Sequence, residues 1–182
     1  MKGLTLYPVF IATLVSIVGL SRLAIREHDH SSPHTLSELA AAEQSLLVHF
    51  RNILIFCGVL FAITLFGFVT PRIAYGLWTG VFGILMVIGE LSVSVMPARD
   101  KTKLAHTIMA QVMAVGMLGL AVIFWFSLHG GYADIEAALV SLMCITGLLT
   151  YFDKRHFILH ELLFIFASHF SIVTAAIALS TL

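Results

Sequence analysis

The sequence predicts an all-α fold, a polytopic transmembrane helical bundle of six spans plus one amphipathic interfacial helix. Three observations predict it. Hydrophobic residues make up 59% of the 182 and charged residues only 11%, with a mean hydropathy of +1.01, far from the balance of a soluble domain. Apolar runs of about 17 to 25 residues recur, the length a helix needs to cross a hydrocarbon core about 30 Å thick. The charged residues gather in the short breaks between those runs.

The first span is expected over 4–23. Lys2 and the small-x-small run Gly19-Leu20-Ser21 would also suit a signal peptide and its cleavage site. Cleavage would export Arg22, Arg26 and Arg51 against the positive-inside bias, which favours a retained helix. The polar segment that follows groups His28, Asp29, His30 and His34 around Pro33. Its spacing matches no standard metal motif, and it reads as a solvated loop.

Thr35-Leu36-Ser37-Glu38 has the spacing of a capping box. Leu36, Leu39, Ala40, Leu46, Leu47 and Phe50 then recur at helical intervals, which predicts an amphipathic helix over 36–50 lying on the membrane surface. A second span follows over 52–69. Thr70-Pro71-Arg72 breaks the chain, and a third span over 73–96 is ended by Pro97, which lacks the N–H a helix needs. Gly76, Gly80 and Gly83 share one face of it, small residues of the kind that let helices in lipid approach closely. Glu90, seven residues beyond Gly83, returns to that face.

Asp100 is placed to cap a fourth span over 101–126, interrupted by His106 and Gln111. His129-Gly130-Gly131 turns the chain, Asp134 can cap a fifth span over 134–151, and Asp153 a sixth over 154–179. Cys57 and Cys144 both fall inside apolar runs, where they fill space more readily than they pair or bind metal.

Charge then sets the expected orientation. With six spans, the first, third and fifth loops carry Arg22, Arg26, Arg51, Arg99, Lys101, Lys103, Lys154 and Arg155, against Lys2 and Arg72 on the other side. Basic loops stay in the cytoplasm, so both termini are expected outside. The formal net charge is zero, and nothing points to nucleic acid.

Ionisable residues inside spans cost free energy unless they face protein or water, and they mark candidate sites. Glu90, His106 and His160 each fall six residues from an expected helix end, about 9 Å deep on helix rise. They form a candidate ligand-binding or proton-handling layer near the cytoplasmic face. Glu161, a hundred degrees round from His160, faces the same layer or snorkels to the surface. A carboxylate between imidazoles in low dielectric holds a proton, pairs with a charged histidine or ligates a divalent metal. His156 and His160, four apart on one helical face, together with His106, are the candidate metal ligands. The alternative throughout is that these groups lock helices together by hydrogen bonds. His169, nine residues beyond His160, points to the opposite side and reads as a hydrogen-bonding core histidine.

Two resemblances add to this reading. Leu36-Ser37-Glu38-Leu39 after the first span, the stretch 89–97 closing the third, and His106-Thr107-x-x-Ala110 opening the fourth resemble a bacterial family of small six-helix membrane proteins of uncharacterised function. That implies a fold and a bacterial cytoplasmic membrane, and no activity. His156 and His160 also resemble the His-x-x-x-His zinc pair in the last helix of certain membrane hydrolases. Those families add an Asp and a Ser from earlier helices and have seven spans, whereas here no Asp lies within a span and six spans are visible.

The reading that follows is a multi-pass integral membrane protein that binds or moves a small ligand or serves as a subunit of a membrane assembly. A zinc-dependent intramembrane hydrolase and a haem b carrier with His106 and His160 as axial ligands are the alternatives. The expected partners are the lipid bilayer and either further copies of the chain or other subunits of a membrane complex.

Overall fold

The computed structural model describes residues 6–26, 35–96, 98–99 and 101–181. Among the described residues every regular element is helical. The seven α-helices are α1 (Tyr7–Arg26), α2 (Leu36–Ala42), α3 (Gln44–Thr64), α4 (Gly76–Val95), α5 (Lys103–Ser127), α6 (Gly131–Phe152) and α7 (Phe157–Thr181). All but α2 are long and apolar enough to cross a membrane.

Consecutive long helices run antiparallel, as short loops require. α1 packs on α3, α3 on α4, α4 on α5, α5 on α6 and α6 on α7, and α7 closes the ring against α1 while also touching α5. α7 is the most enclosed helix, with 72% of its most apolar stretch buried against 22% for α6. Its sequence explains why: Ala167, Ser168, Ser171, Ala175, Ala176 and Ala178 are small residues that neighbours approach from several sides. Large apolar residues such as Leu77, Ile108, Leu148 and Phe170 are exposed on the outer helix faces, which suits contact with lipid.

The expected surface helix over 36–50 does not form as one piece. α2 ends at Ala42, Glu43 is extended (φ −127°, ψ 135°), and α3 restarts at Gln44. Five of the seven residues of α2, Leu36, Ser37, Leu39, Ala40 and Ala41, are buried, so it packs against the bundle. The predicted capping box is present: the Thr35 hydroxyl accepts from the Glu38 N–H, and Glu38 accepts from the Thr35 N–H.

The second span is longer than expected, running as a candidate membrane segment over Gln44–Arg72. Its last turns widen to a π-turn at Leu65–Val69 and tighten to a 3-10 turn at Thr70–Arg72. Pro71 accounts for this, since its ring would clash with the carbonyl four residues back in a regular α-helix. Arg72 then folds back, its Nη1 donating to the Phe68 carbonyl at 2.9 Å.

Two expected caps are replaced. α6 starts at Gly131 behind Gly130, whose φ of +60° only glycine adopts without strain, and Asp134 lies inside the first turn. Asp153 makes no side-chain cap. The expected cap Asp100 and the group His28, Asp29, His30 and His34 lie outside the described residues.

The glycine face of α4 packs on the end of α3. A Cβ at Gly76 would stand 2.7 Å from the Thr70 carbonyl oxygen, and one at Gly83 would stand 3.3 Å from the Phe66 ring, but Gly80 has only a Thr70 methyl at 3.9 Å. A closer approach is between α4 and α5, where a Cβ at Gly89 would stand 2.6 Å from the Met113 backbone nitrogen. Gly116 on α5 meets the Met86 and Phe82 backbone in the same way.

Candidate functional site

Among the described residues five Glu and His side chains are buried in the bundle, Glu90, His106, Glu136, His160 and His169, and Glu161 is half-buried beside them. They fall into two zones. One lies where the basic loops and α2 gather, and the other at mid-bundle.

At the basic-loop end each predicted residue has a hydrogen-bond partner. His106 sits in the first turn of α5, its Nδ1 2.6 Å from the Met96 carbonyl oxygen, so Nδ1 donates. His160, in the first turn of α7, points Nε2 at Asp153 Oδ2 at 3.2 Å, and His156 Nδ1 reaches the same oxygen at 2.9 Å. An ionised carboxylate only accepts, so both rings donate, which leaves the buried Nδ1 of a neutral His160 as an unpartnered acceptor. These hydrogen bonds, from His156 first and then His160, hold the Asp153 carboxyl below the ordinary carboxylate range.

Glu161 Oε2 accepts the Leu36 backbone N–H at 2.9 Å, at the N-terminus of α2. At the other end of α2, Arg99 donates from Nε and Nη2 to the Ala41 carbonyl at 3.1 and 2.6 Å. Lys103 pairs with Glu38 at 2.8 Å. A carboxylate at the positive end of the helix dipole and a guanidinium at the negative end both stabilise α2 in place. α2 is therefore a short cap seated on the bundle, and Glu161 is one of its anchors.

The expected common layer of Glu90, His106 and His160 is not assembled. His106 is level with Met96, whereas Glu90 lies six residues deeper on α4, about 9 Å on helix rise. The discrepancy arises because α5 begins at Lys103 and α7 at Phe157, so both histidines sit in first turns. The expected metal set of His156, His160 and His106 is likewise not formed. His156 and His160 share Asp153, His106 is tied to Met96, and among the described residues no three His, Cys, Asp or Glu side chains come together to hold a metal.

Glu90 instead belongs to the mid-bundle zone. It is 1% exposed, and its Oε2 lies 3.4 Å from where a Cβ of Gly58 would stand. The missing side chain on α3 makes the room for the carboxylate. No hydrogen bond reaches Oε2. Cys57, the neighbour of Gly58, donates to the Ala12 carbonyl at 3.3 Å.

Two further groups share this zone. His169 lies against Phe61 with ring centroids 4.4 Å apart, and neither ring nitrogen has a hydrogen-bond partner, contrary to the hydrogen-bonded core histidine expected. Glu136 on α6 is 0% exposed. Its Oε2 accepts from Ser171 Oγ at 2.6 Å, and its Oε1 has no partner.

Sequence reasoning passed over Glu136. Its signal was the row Glu136, Val140, Met143 at i, i+4 and i+7, all buried, which places a carboxylate on the packed face of α6. A surface groove of about 550 Å³ lined by Arg22, Leu23, Ile25, Ser45, Leu46 and His49 opens beside α1 and α3. None of the buried ionisable groups lines it.

Set against known proteins, the chain matches no family model, no curated protein and no solved structure.

Proposed function

We propose that this multi-pass membrane protein binds or moves a small ligand through its interior, and that the ligand exchanged at Glu90 is the proton. The observation that carries the reading is the buried, unpartnered Oε2 of Glu90 against Gly58. A buried polar atom left without a partner costs about 1 to 3 kcal/mol. An apolar residue at that position would lock α4 to α3 at lower cost, so a carboxyl held there supports proton chemistry over simple packing. Intramembrane ionisable residues mark ion and proton pathways for the same reason.

We also read the basic-loop end as cytoplasmic, with both termini outside, and place the chain in a bacterial cytoplasmic membrane. The distribution of Lys and Arg supports the first statement, and the motif resemblance supports the second.

The test is an infrared pH titration of the protein in nanodiscs, following the protonated-carboxyl stretch. The expected result is a band that appears and disappears reversibly with pH and is lost in Glu90→Gln. A spectrum in which Glu90→Gln removes no titrating band would overturn the reading.

A further inference from the structure

The groove of about 550 Å³ opens where the last turn of α1 meets the first turns of α3. Its lining divides by chemistry. Arg22 from α1 and His49 from α3 bring nitrogen donors, and Leu23, Ile25 and Leu46 bring apolar surface. Ser45 completes the wall, but its hydroxyl donates to Glu43, so the donors left for a ligand are the Arg22 guanidinium and the His49 ring. Among the described residues no hydrogen bond or ion pair engages either of them. Arg99 and Lys103, at the same end of the bundle, are by contrast taken up by α2, on the Ala41 carbonyl and on Glu38.

The groove stands at the level of lipid headgroups. The membrane segment Gln44–Arg72 has 29 residues, about 43 Å of helix against a hydrocarbon core of about 30 Å. Divided between the two ends, that excess leaves about 6 to 7 Å of the segment in each headgroup layer. His49 is five residues from Gln44, about 7.5 Å, and Arg22 is four residues from the Arg26 end of α1, about 6 Å. Both side chains therefore stand where headgroup phosphates give way to acyl chains.

Below the groove the bundle surface is apolar and open. On α1, Val18, Leu14 and Ile11 continue the face of Arg22 at i−4, i−8 and i−11, and all three are exposed. On α3, Phe56 and Ile63 continue the face of His49 at i+7 and i+14 and are exposed as well. A soluble anion would use the donors alone. A phospholipid uses the donors and the two apolar stripes together.

We propose that this groove binds one anionic phospholipid, with its phosphodiester between Arg22 and His49 and its acyl chains along the exposed stripes of α1 and α3. Arginine presents a planar fork of donors that matches phosphate oxygens, and basic pockets between membrane helices hold anionic headgroups. The charge of the lining favours an anionic lipid over a zwitterionic one, because the ammonium of a zwitterionic headgroup needs an acidic partner and no carboxylate lines the groove. Glu43, the carboxylate closest in sequence, accepts from Ser45. The site does not involve Glu90, so it stands or falls independently of the proton reading.

The test is native mass spectrometry of the full chain, incubated in detergent with equal amounts of phosphatidylglycerol and phosphatidylcholine of matched acyl chains. The wild type is expected to retain one phosphatidylglycerol in preference to phosphatidylcholine, and to keep it when millimolar inorganic phosphate is added. Arg22→Gln is expected to lower that retention about fivefold, the effect of one basic residue near an anionic membrane surface, and His49→Gln is expected to lower it as well. Arg51→Gln is the control, since Arg51 is exposed two residues beyond His49 on α3 and does not line the groove; it is expected to retain lipid as the wild type does. Circular dichroism checks that each variant folds, and His49→Gln carries the comparison should Arg22→Gln not fold. Equal retention of the two lipids, or equal losses in Arg51→Gln and the groove variants, would overturn the site in favour of general surface attraction. Displacement of the lipid by inorganic phosphate would overturn it in favour of a site for a free anion.

Discussion

The Glu161 carboxylate accepts the backbone N–H of Leu36 across 2.9 Å, joining α7 to the first residue of α2. With Arg99 on the Ala41 carbonyl, it means that α2 is held at both ends by charges matched to its dipole. Seven residues make a helix too short to persist alone in water, so α2 depends on these anchors and on its buried Leu36 and Ala40.

Glu161→Ala is therefore expected to free α2 while leaving the six long helices folded. A charge near a helix end contributes about 0.3 to 1 kcal/mol, up to about 2 when partly buried. Hydrogen exchange of residues 36–42 is the measurement, with faster exchange expected in Glu161→Ala and in Arg99→Ala. Unchanged protection in both variants would show that apolar burial alone seats the helix.

The α4–α5 contact sets a second expectation. Gly89→Ala puts a Cβ 2.6 Å from the Met113 backbone, and overpacking of this kind costs about 1 to 3 kcal/mol. Gly80→Ala meets only a methyl at 3.9 Å, and alanine favours helix over glycine by about 1 kcal/mol. Melting in detergent should fall for Gly89→Ala and hold or rise for Gly80→Ala. The reverse order would place the close helix contact at the wrong interface.

Asp153 sets a pH dependence. Its carboxyl is held below the ordinary range, near 3.9, by the hydrogen bonds of His156 and His160. A depressed pKa in the folded state means stability that is present above the unfolded value and lost as pH falls through the folded one. Stability in detergent should therefore fall below about pH 4, and Asp153→Asn should weaken the fold at neutral pH and flatten that acid limb. An acid limb identical in Asp153→Asn and wild type would remove Asp153 from the account.

Double-mutant cycles separate the basic-loop end from the mid-bundle zone. Asp153→Ala with His160→Ala should be non-additive, because the two side chains touch. Glu90→Gln with His160→Ala should add within about 0.3 to 0.5 kcal/mol, since each has a different neighbour. A large coupling in the second cycle would restore the single layer that the sequence had led us to expect.

Orientation is open to a direct check. With the basic-loop end in the cytoplasm, an alkaline phosphatase fusion at Leu182 should be active and a cytoplasmic reporter there inactive. An active cytoplasmic reporter at Leu182 would invert the bundle.

The sequence by itself determined the number of spans and their nature. Apolar runs of membrane length and breaks at Pro71 and at Gly130-Gly131 are local properties, set by helix rise, proline geometry and the cost of backbone polar groups in lipid. The capping box at Thr35 and Glu38 was legible for the same reason, since its partners lie three residues apart. Only the tertiary structure decided which buried groups meet. Depth counted from expected helix ends placed His106 and His160 level with Glu90, and a shift of a few residues in where α5 and α7 begin was enough to part them. Glu90 against Gly58, Glu136 with Ser171, and Glu161 with Leu36 join residues 32, 35 and 125 positions apart. Such pairs depend on how whole helices rotate and slide against one another. Those motions are governed by close approaches such as Gly89 on Met113, which no single helix encodes.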